Sequence, residues 1–359
     1  MKIRIIEEPR VIISNRDSLH NYFAWPTVSR LKNGRIAVGA SGYRLGHVCP
    51  FGKSVLSFSE DEGKTYTTPS PIIDTPLDDR DAGLCPFGES GLILTSFNNT
   101  RTAQKKWVSE SKRSDAVKNY ISSYIDTITD ESEEKYIGST FKISFDNGVT
   151  FGELHKSPIT SPHGPIELQD GSILWVGTRF TTTSDYQPIE VYKVNLDGSM
   201  EKISEIEKIF ENGKEMMSCE PYAVQLKGGT IICHIRVEHN FTLYQTISND
   251  NGKTWTKPIK LLKDYGGAPS HLLQLSNGTL LTVYGYRSNP YSIKAGLSND
   301  DGKTWDMDNI IATKDTFSWD LGYPSTIELE NGNLLTVFYG HFEKNGPAEI
   351  MQTIWKIEE

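Results

Sequence analysis

Five arginines and a histidine stand at one recurring place in this 359-residue chain. Six segments share an apolar strand, a turn ending in glycine and a second apolar strand, with the turns at Gly34, Gly91, Gly171, Gly229, Gly278 and Gly332. Seven to ten residues after each glycine come Arg44, Arg101, Arg179, Arg236, Arg287 and His341. Nine residues before each come Trp25, Ala82, Pro162, Glu220, Pro269 and Tyr323, and one extra turn residue in the second segment brings Asp81 into the place of Ala82. A hairpin starts and finishes at the same end, so stacking the six puts all these positions on one rim. Guanidinium groups pair bidentately with carboxylates, and a ring of them repels itself unless acidic side chains or an anionic ligand neutralise it. Arg80, Asp81, Glu220 and Glu238 offer internal neutralisation. An anionic ligand is the expectation, because strand ends need no charge for stability.

A second repeat positions these hairpins. The pattern S-x-D-x-G-x-T followed by an aromatic occurs at Ser59–Tyr66, Ser144–Phe151, Ser248–Trp255 and Ser298–Trp305, with a worn fifth copy at Asn195–Gly198. Each reads as a hairpin turn: Asp bonds neighbouring backbone N–H groups, Gly accepts positive φ, and the aromatic packs beneath. Six hairpins, each extended by two outer strands, predict an all-β fold: a six-bladed β-propeller of four-stranded antiparallel blades, one domain over residues 1–359. The strand Glu349–Ile357 is expected to share a blade with Lys2–Ile6 and so tie the ends of the ring together. Between Arg101 and Tyr136 apolar residues fall three and four apart, which predicts an amphipathic helix of about five turns inserted in blade 2, approximately residues 102–135. It leaves from the rim, so it is expected to cover the pocket, form an interface or pack on the blade's flank.

Composition removes other classes. With 37 Lys+Arg against 46 Asp+Glu the formal charge is −9, and no basic block offers a nucleic acid or an anionic membrane a footing. No apolar run reaches the length of a membrane span, and the N-terminus lacks a signal-peptide core, so cytoplasmic placement is expected. Cys49, Cys85, Cys219 and Cys233 show no C-x-x-C spacing and read as buried free thiols. No metal or cofactor is expected, and an oligomer is left open.

The Asp boxes and the six-fold pattern together resemble the sialidase (neuraminidase) superfamily with bacterial neuraminidase repeats, over essentially residues 20–357. The resemblance implies three arginines on a substrate carboxylate, a Tyr nucleophile activated by Glu, and an Asp acid/base. A Tyr nucleophile is an exception to the usual two-carboxylate arrangement. Residue by residue, Glu220 resembles the activating Glu, Arg236 the second arginine, Arg287 the third, and Tyr323 in Asp320-Leu-Gly-Tyr-Pro-Ser the nucleophile. Two matches are missing. Ala24-Trp25-Pro26 stands where the family has Arg-Ile-Pro, and the loop Leu45–Pro50 after Arg44 has no Asp where the acid/base sits. His47 and Asp81 are the candidate substitutes. Arg80, Trp25, His163, Arg179, Tyr222, His271 and Tyr286 complete the expected binding set.

The leading expectation is therefore a retaining exo-glycosidase acting on a glycan with a terminal acidic sugar, sialic acid first. A glycosidase or polysaccharide lyase on a uronic-acid or rhamnose-containing glycan, using His47 or His163 with Tyr, is the alternative within enzymes. A propeller that binds an acidic glycan without turning it over is the alternative outside them.

Overall fold

The structure is a computed structural model, and it describes residues 2–183, 186–238, 241–261, 267–312 and 317–358. The chain forms a six-bladed propeller. Blade 1 runs outward through Tyr22–Arg30, Ile36–Arg44, Lys53–Ser59 and Ser70–Ile73, and blade 2 through Leu84–Phe87, Gly91–Phe97, Ser139–Ser144 and His155–Ser157. In blade 3 the inner strand is split into Ile159–Thr160 and Ile166–Glu167, both paired with Ile173–Arg179, so this sheet has five strands rather than the expected four. Blades 4 and 5 start from Ser218–Gln225 and Gly267–Gln274. Blade 6 consists of Gly322–Glu328, Leu334–His341, Ala348–Glu358 and, on its outside, Lys2–Ile13 from the other end of the chain. That last antiparallel pairing, with Ile3 opposite Ile357 and Val11 opposite Met351, closes the ring.

Inner strands are buried on both faces because each blade is packed between two others, so they read as apolar runs rather than alternating ones. Ile36, Ala37, Val38 and Ala40 are all fully buried. Among the described residues an apolar cluster fills each of the six clefts between neighbouring blades, for example Val38 with Val337, Leu56 with Leu92, and Leu297 with Trp355. Five of the six inner turns follow one plan: Gly34, Gly171, Gly229, Gly278 and Gly332 have φ between 78° and 93°, and each donates its N–H to the carbonyl three residues back. Blade 2 differs. Its positive φ lies at Gly88, while Gly91 begins the second strand opposite Phe87, so the turn is no longer than the others; Gly91 falls one place past the usual turn glycine, and counting nine back from Ser90 reaches Asp81.

The Asp boxes join third and fourth strands on the side away from the rim. Asp61 accepts from Thr65 N at 2.9 Å and Thr65 Oγ1 at 2.7 Å, while Ser59 Oγ accepts from Gly63 N at 2.9 Å. The box aromatics reach the preceding blade: Tyr66 Oη donates to Gln352, Trp255 Nε1 to Ser204 and Trp305 Nε1 to Gln245. Asn195–Gly198 occupies the same turn in blade 3 but only caps itself, through Asp197 and Ser199.

The insertion is three helices rather than one: α1 (Arg101–Glu110), α2 (Asp115–Thr127) and α3 (Asp130–Tyr136). Thr100 and Thr129 start α1 and α3 by accepting from Ala103 N and Ser132 N, each at 3.1 Å. Val108, Ile121 and Ile125 bury themselves against Leu45 and Phe51 of blade 1. Among the described residues no helix is long and apolar enough to cross a membrane. All four cysteines are free thiols, with Cys49, Cys85 and Cys233 buried and Cys219 half-buried.

Candidate active site

The rim residues are aimed by a shared backbone device. Trp25, Asp81, Glu220 and Tyr323 have φ of 54°, 56°, 50° and 47°, the left-handed region that non-glycine residues rarely occupy. In blades 1, 4 and 6 the strand register slips across this residue, between Ala24 and Thr27, Cys219 and Tyr222, and Gly322 and Ser325. A bulge there turns one side chain from the blade interface toward the axis. Such conformations cost about 1–3 kcal/mol each and persist where surrounding structure enforces them, as at binding sites. The repeat at four equivalent places marks the rim as built for its contents.

One cavity of about 610 Å³ opens on this rim, and His47, Arg80, Asp81, Glu220, Arg236, Arg287 and Tyr323 all line it. Tyr323 Oη donates to Glu220 Oε1, and Arg236 is bonded to Glu220 Oε2 on one side and to Glu238 on the other. Burial holds the Tyr323 phenol well above its ordinary value; the charge of Glu220 adds to this and that of Arg236 opposes it. Burial also pushes the Asp81 carboxyl up to about 7, with Arg80 pulling it down and Glu220 raising it. Arg80 lies 4.1 Å from the Trp25 ring and donates to the His47 carbonyl at 2.9 Å. Arg287 donates to the Leu321 carbonyl at 2.9 Å and to Tyr339 Oη at 3.0 Å, and it has no carboxylate partner among the described residues. A half-buried guanidinium without a counter-ion is unfavourable until an anion joins it.

Half of the sequence-predicted set lies elsewhere. Arg44 is completely buried, paired with Asp78 at 2.6 Å beneath the floor, because Asp78 needs a cation once the loop after it is packed. Trp25 is 2% exposed and supports the floor from below. His163, Tyr222 and His271 pack together away from this cavity, Tyr222 stacked on His271 and His163 edge-on to both with ring centroids 4.7 to 5.4 Å apart, where burial drives His163 far below its ordinary value and His271 down to about 3; Tyr222 and His271 line a second cavity of about 400 Å³. Arg179 turns outward to Glu190 and lines a smaller adjoining cavity of about 220 Å³. Tyr286 lies under Lys294, whose Nζ is 4.1 Å from the ring. Arg101 begins α1 and is engaged by Asp130 and Glu133 rather than facing the axis. The five-arginine rim is thus reduced to Arg236 and Arg287, joined by Arg80.

Several residues enter unannounced. Asp320 accepts from Tyr22 Oη at 2.8 Å and Tyr339 Oη at 2.9 Å, and its oxygens also lie 3.0 Å from His47 Nδ1 and 3.3 Å from His341 Nε2. Burial opposes its charge, yet the bonds from His341 and His47 outweigh burial and hold the carboxyl well below the usual range. Trp107 from α1, Met217 and Trp319 add apolar wall at the mouth. Among the described residues no group of three or more His, Cys, Asp or Glu is arranged to hold a metal ion.

Comparison with solved structures gives the same ring. A protein of unknown function from Dyadobacter fermentans superposes with TM-score 0.78 at 21% identity, covering 99% of either chain. The NanB sialidase of Streptococcus pneumoniae (TM-score 0.65, 13% identity, 97% of this chain and 70% of that one) and the intramolecular trans-sialidase of Ruminococcus gnavus (0.65, 13%, 97% of either) share the fold. Comparison with curated protein sequences gives no match. The BNR repeat-like domain profile matches residues 121–336, more than half of the chain and three of its four Asp boxes, and the chain belongs to that family.

Proposed function

We propose that this protein is a retaining glycoside hydrolase that removes a terminal acidic sugar, sialic acid first among candidates. The observation that carries this reading is the Tyr323–Glu220 hydrogen bond with Arg236 and Arg287 on the same cavity wall. Glu220 is placed to take the phenolic proton as Tyr323 Oη attacks the anomeric carbon. A neutral phenol suits an anomeric centre that already carries a carboxylate, because a second anion would be repelled. Arg236 is paired with both Glu220 and Glu238 at rest, whereas Arg287 has no carboxylate among the described residues, so Arg287 is the first grip on the carboxylate and Arg80 stands in for the arginine that Trp25 displaces. The neighbours named as sialidases support the sugar class. The proton for the leaving oxygen would come from His47 or Asp81, both of which line the cavity.

The test is turnover of a panel of sialosides and uronides by the whole chain and by Tyr323→Phe. Cleavage by the wild type and a loss of about 10³-fold or more in kcat for the variant are expected. Unchanged hydrolysis by Tyr323→Phe removes the nucleophile, and calorimetric binding of these glycans without any turnover makes the protein a binding propeller instead.

A further inference from the structure

We propose that His47, held by Asp320, is the acid/base of this site, giving a proton to the leaving oxygen and later taking one from water; this rests on the hydrolase reading above. Its Nδ1 lies 3.0 Å from Asp320 Oδ1 and 3.2 Å from Tyr22 Oη. Tyr22 spends its own proton on Asp320 Oδ2, so its oxygen is left as an acceptor toward the ring. Both neighbours of Nδ1 therefore accept, which fixes the Nδ1–H tautomer and leaves Nε2 to the cavity. Asp320 is anchored independently by Tyr339 and His341, and the backbone of His47 is pinned through its carbonyl by Arg44 and Arg80 at 2.9 Å each. The ring edge rests on Trp25, with centroids 5.1 Å apart.

Depth separates His47 from Asp81. The leaving group of an exo-enzyme continues toward solvent, so its oxygen lies near the mouth. His47 is half-buried, beside Trp319 at the mouth, whereas Asp81 is buried and sits on the floor beside Glu220 and Arg80. Asp81 is left to meet a ring hydroxyl.

In the first step Tyr323 Oη bonds to the anomeric carbon and its proton passes to Glu220. The glycosidic C–O bond breaks, and its oxygen takes the proton from Nε2 of the His47 imidazolium, whose charge Asp320 balances. In the second step water adds to the anomeric carbon, giving its proton to Nε2, while the bond to Tyr323 breaks and Glu220 returns the phenolic proton. Burial lowers the resting ring below its ordinary value, the Asp320 bond raises it, and Arg80 and Arg44 lower it again. Tyr22, Trp25 and Trp319 are its uncharged neighbours, and His341 acts only through Asp320. A substrate carboxylate beside Arg80 offsets that repulsion, so binding itself favours the acid form.

The experiment compares His47→Ala, His47→Gln and Asp81→Asn on sialyllactose, whose leaving group is a sugar hydroxyl, and on a 4-methylumbelliferyl sialoside, whose leaving group needs little protonation. Both His47 variants are expected to lose about 10²-fold or more in kcat on sialyllactose and less than about 10-fold on the aryl substrate, while Asp81→Asn affects the two alike. Equal losses for the His47 variants, or the split appearing in Asp81→Asn, overturn the assignment while leaving the hydrolase reading intact. A wild type that cleaves neither substrate nor any uronide ends both. Nitrogen-15 NMR of histidine-labelled wild type at pH 8 checks the geometry without turnover: a proton on Nδ1 of His47 is expected, and one on Nε2 overturns the proposal.

Discussion

Asp81 carries a stability signature separate from any chemistry. Its folded-state value of about 7 lies above the ordinary carboxyl value near 4, so the folded protein holds a proton there that the unfolded chain has released. That contribution is fully present below about pH 4 and is lost as pH rises through 7, on the order of 2–4 kcal/mol in all for a nearly buried group. Asp81→Asn keeps the neutral shape at every pH. Thermal unfolding is expected to show the wild type losing Tm between about pH 4 and 7 relative to the variant, and parallel curves would place the carboxyl in its ordinary range. Glu220, Tyr323, Arg236 and Arg287 were legible as residues because Glu220 and Tyr323 sit nine residues before a turn glycine and the arginines seven and nine after one. Asp320 was not, although it stands three residues before Tyr323. Its four donors come from positions 22, 47, 339 and 341, and no local spacing announces a meeting of that kind.

Elements were legible where a local rule forces them. Gly34 and its four equivalents need positive φ, and the Asp boxes close through bonds within seven residues, so hairpin positions follow from sequence. The helical insertion shows the limit. Apolar spacing alone reads as one long helix, but the stretch from Ser111 to Ser114 and the Thr129 cap divide it into three, letting α2 fold back so that Ile121 and Ile125 meet Val108. That fold-back sets Trp107 on the cavity wall, one residue from Val108. Ile121→Ala is expected to cost about 2–4 kcal/mol locally and to raise KM several-fold with kcat nearly unchanged, because the wall loosens while the floor stays. Steady-state kinetics decide it: an unchanged KM means that Trp107 is held without α2.

At the scale of the whole molecule, the ring converts six separate hairpin ends into one concave wall, and strand Lys2–Ile13 holds that ring shut. The arginine count shows what a ring position does and does not fix. Arg44, Arg179 and Arg101 satisfy the same spacing as Arg236 and Arg287, yet Asp78, Glu190 and Glu133 draw them away from the axis. Pairing partners distant in sequence decide which way a rim side chain turns, so the rim was readable and its occupancy was not. A chain of net charge −9 still presents three arginines to one cavity, with Tyr323 and Glu220 between them. The most direct measurement is mass spectrometry of the protein after reaction with a 3-fluorosialosyl fluoride, which slows release of a covalent intermediate. A glycosyl adduct on the peptide containing Tyr323 is the expected result; hydrolysis of sialosides with no adduct there, or an adduct on another residue, contradicts the assigned nucleophile.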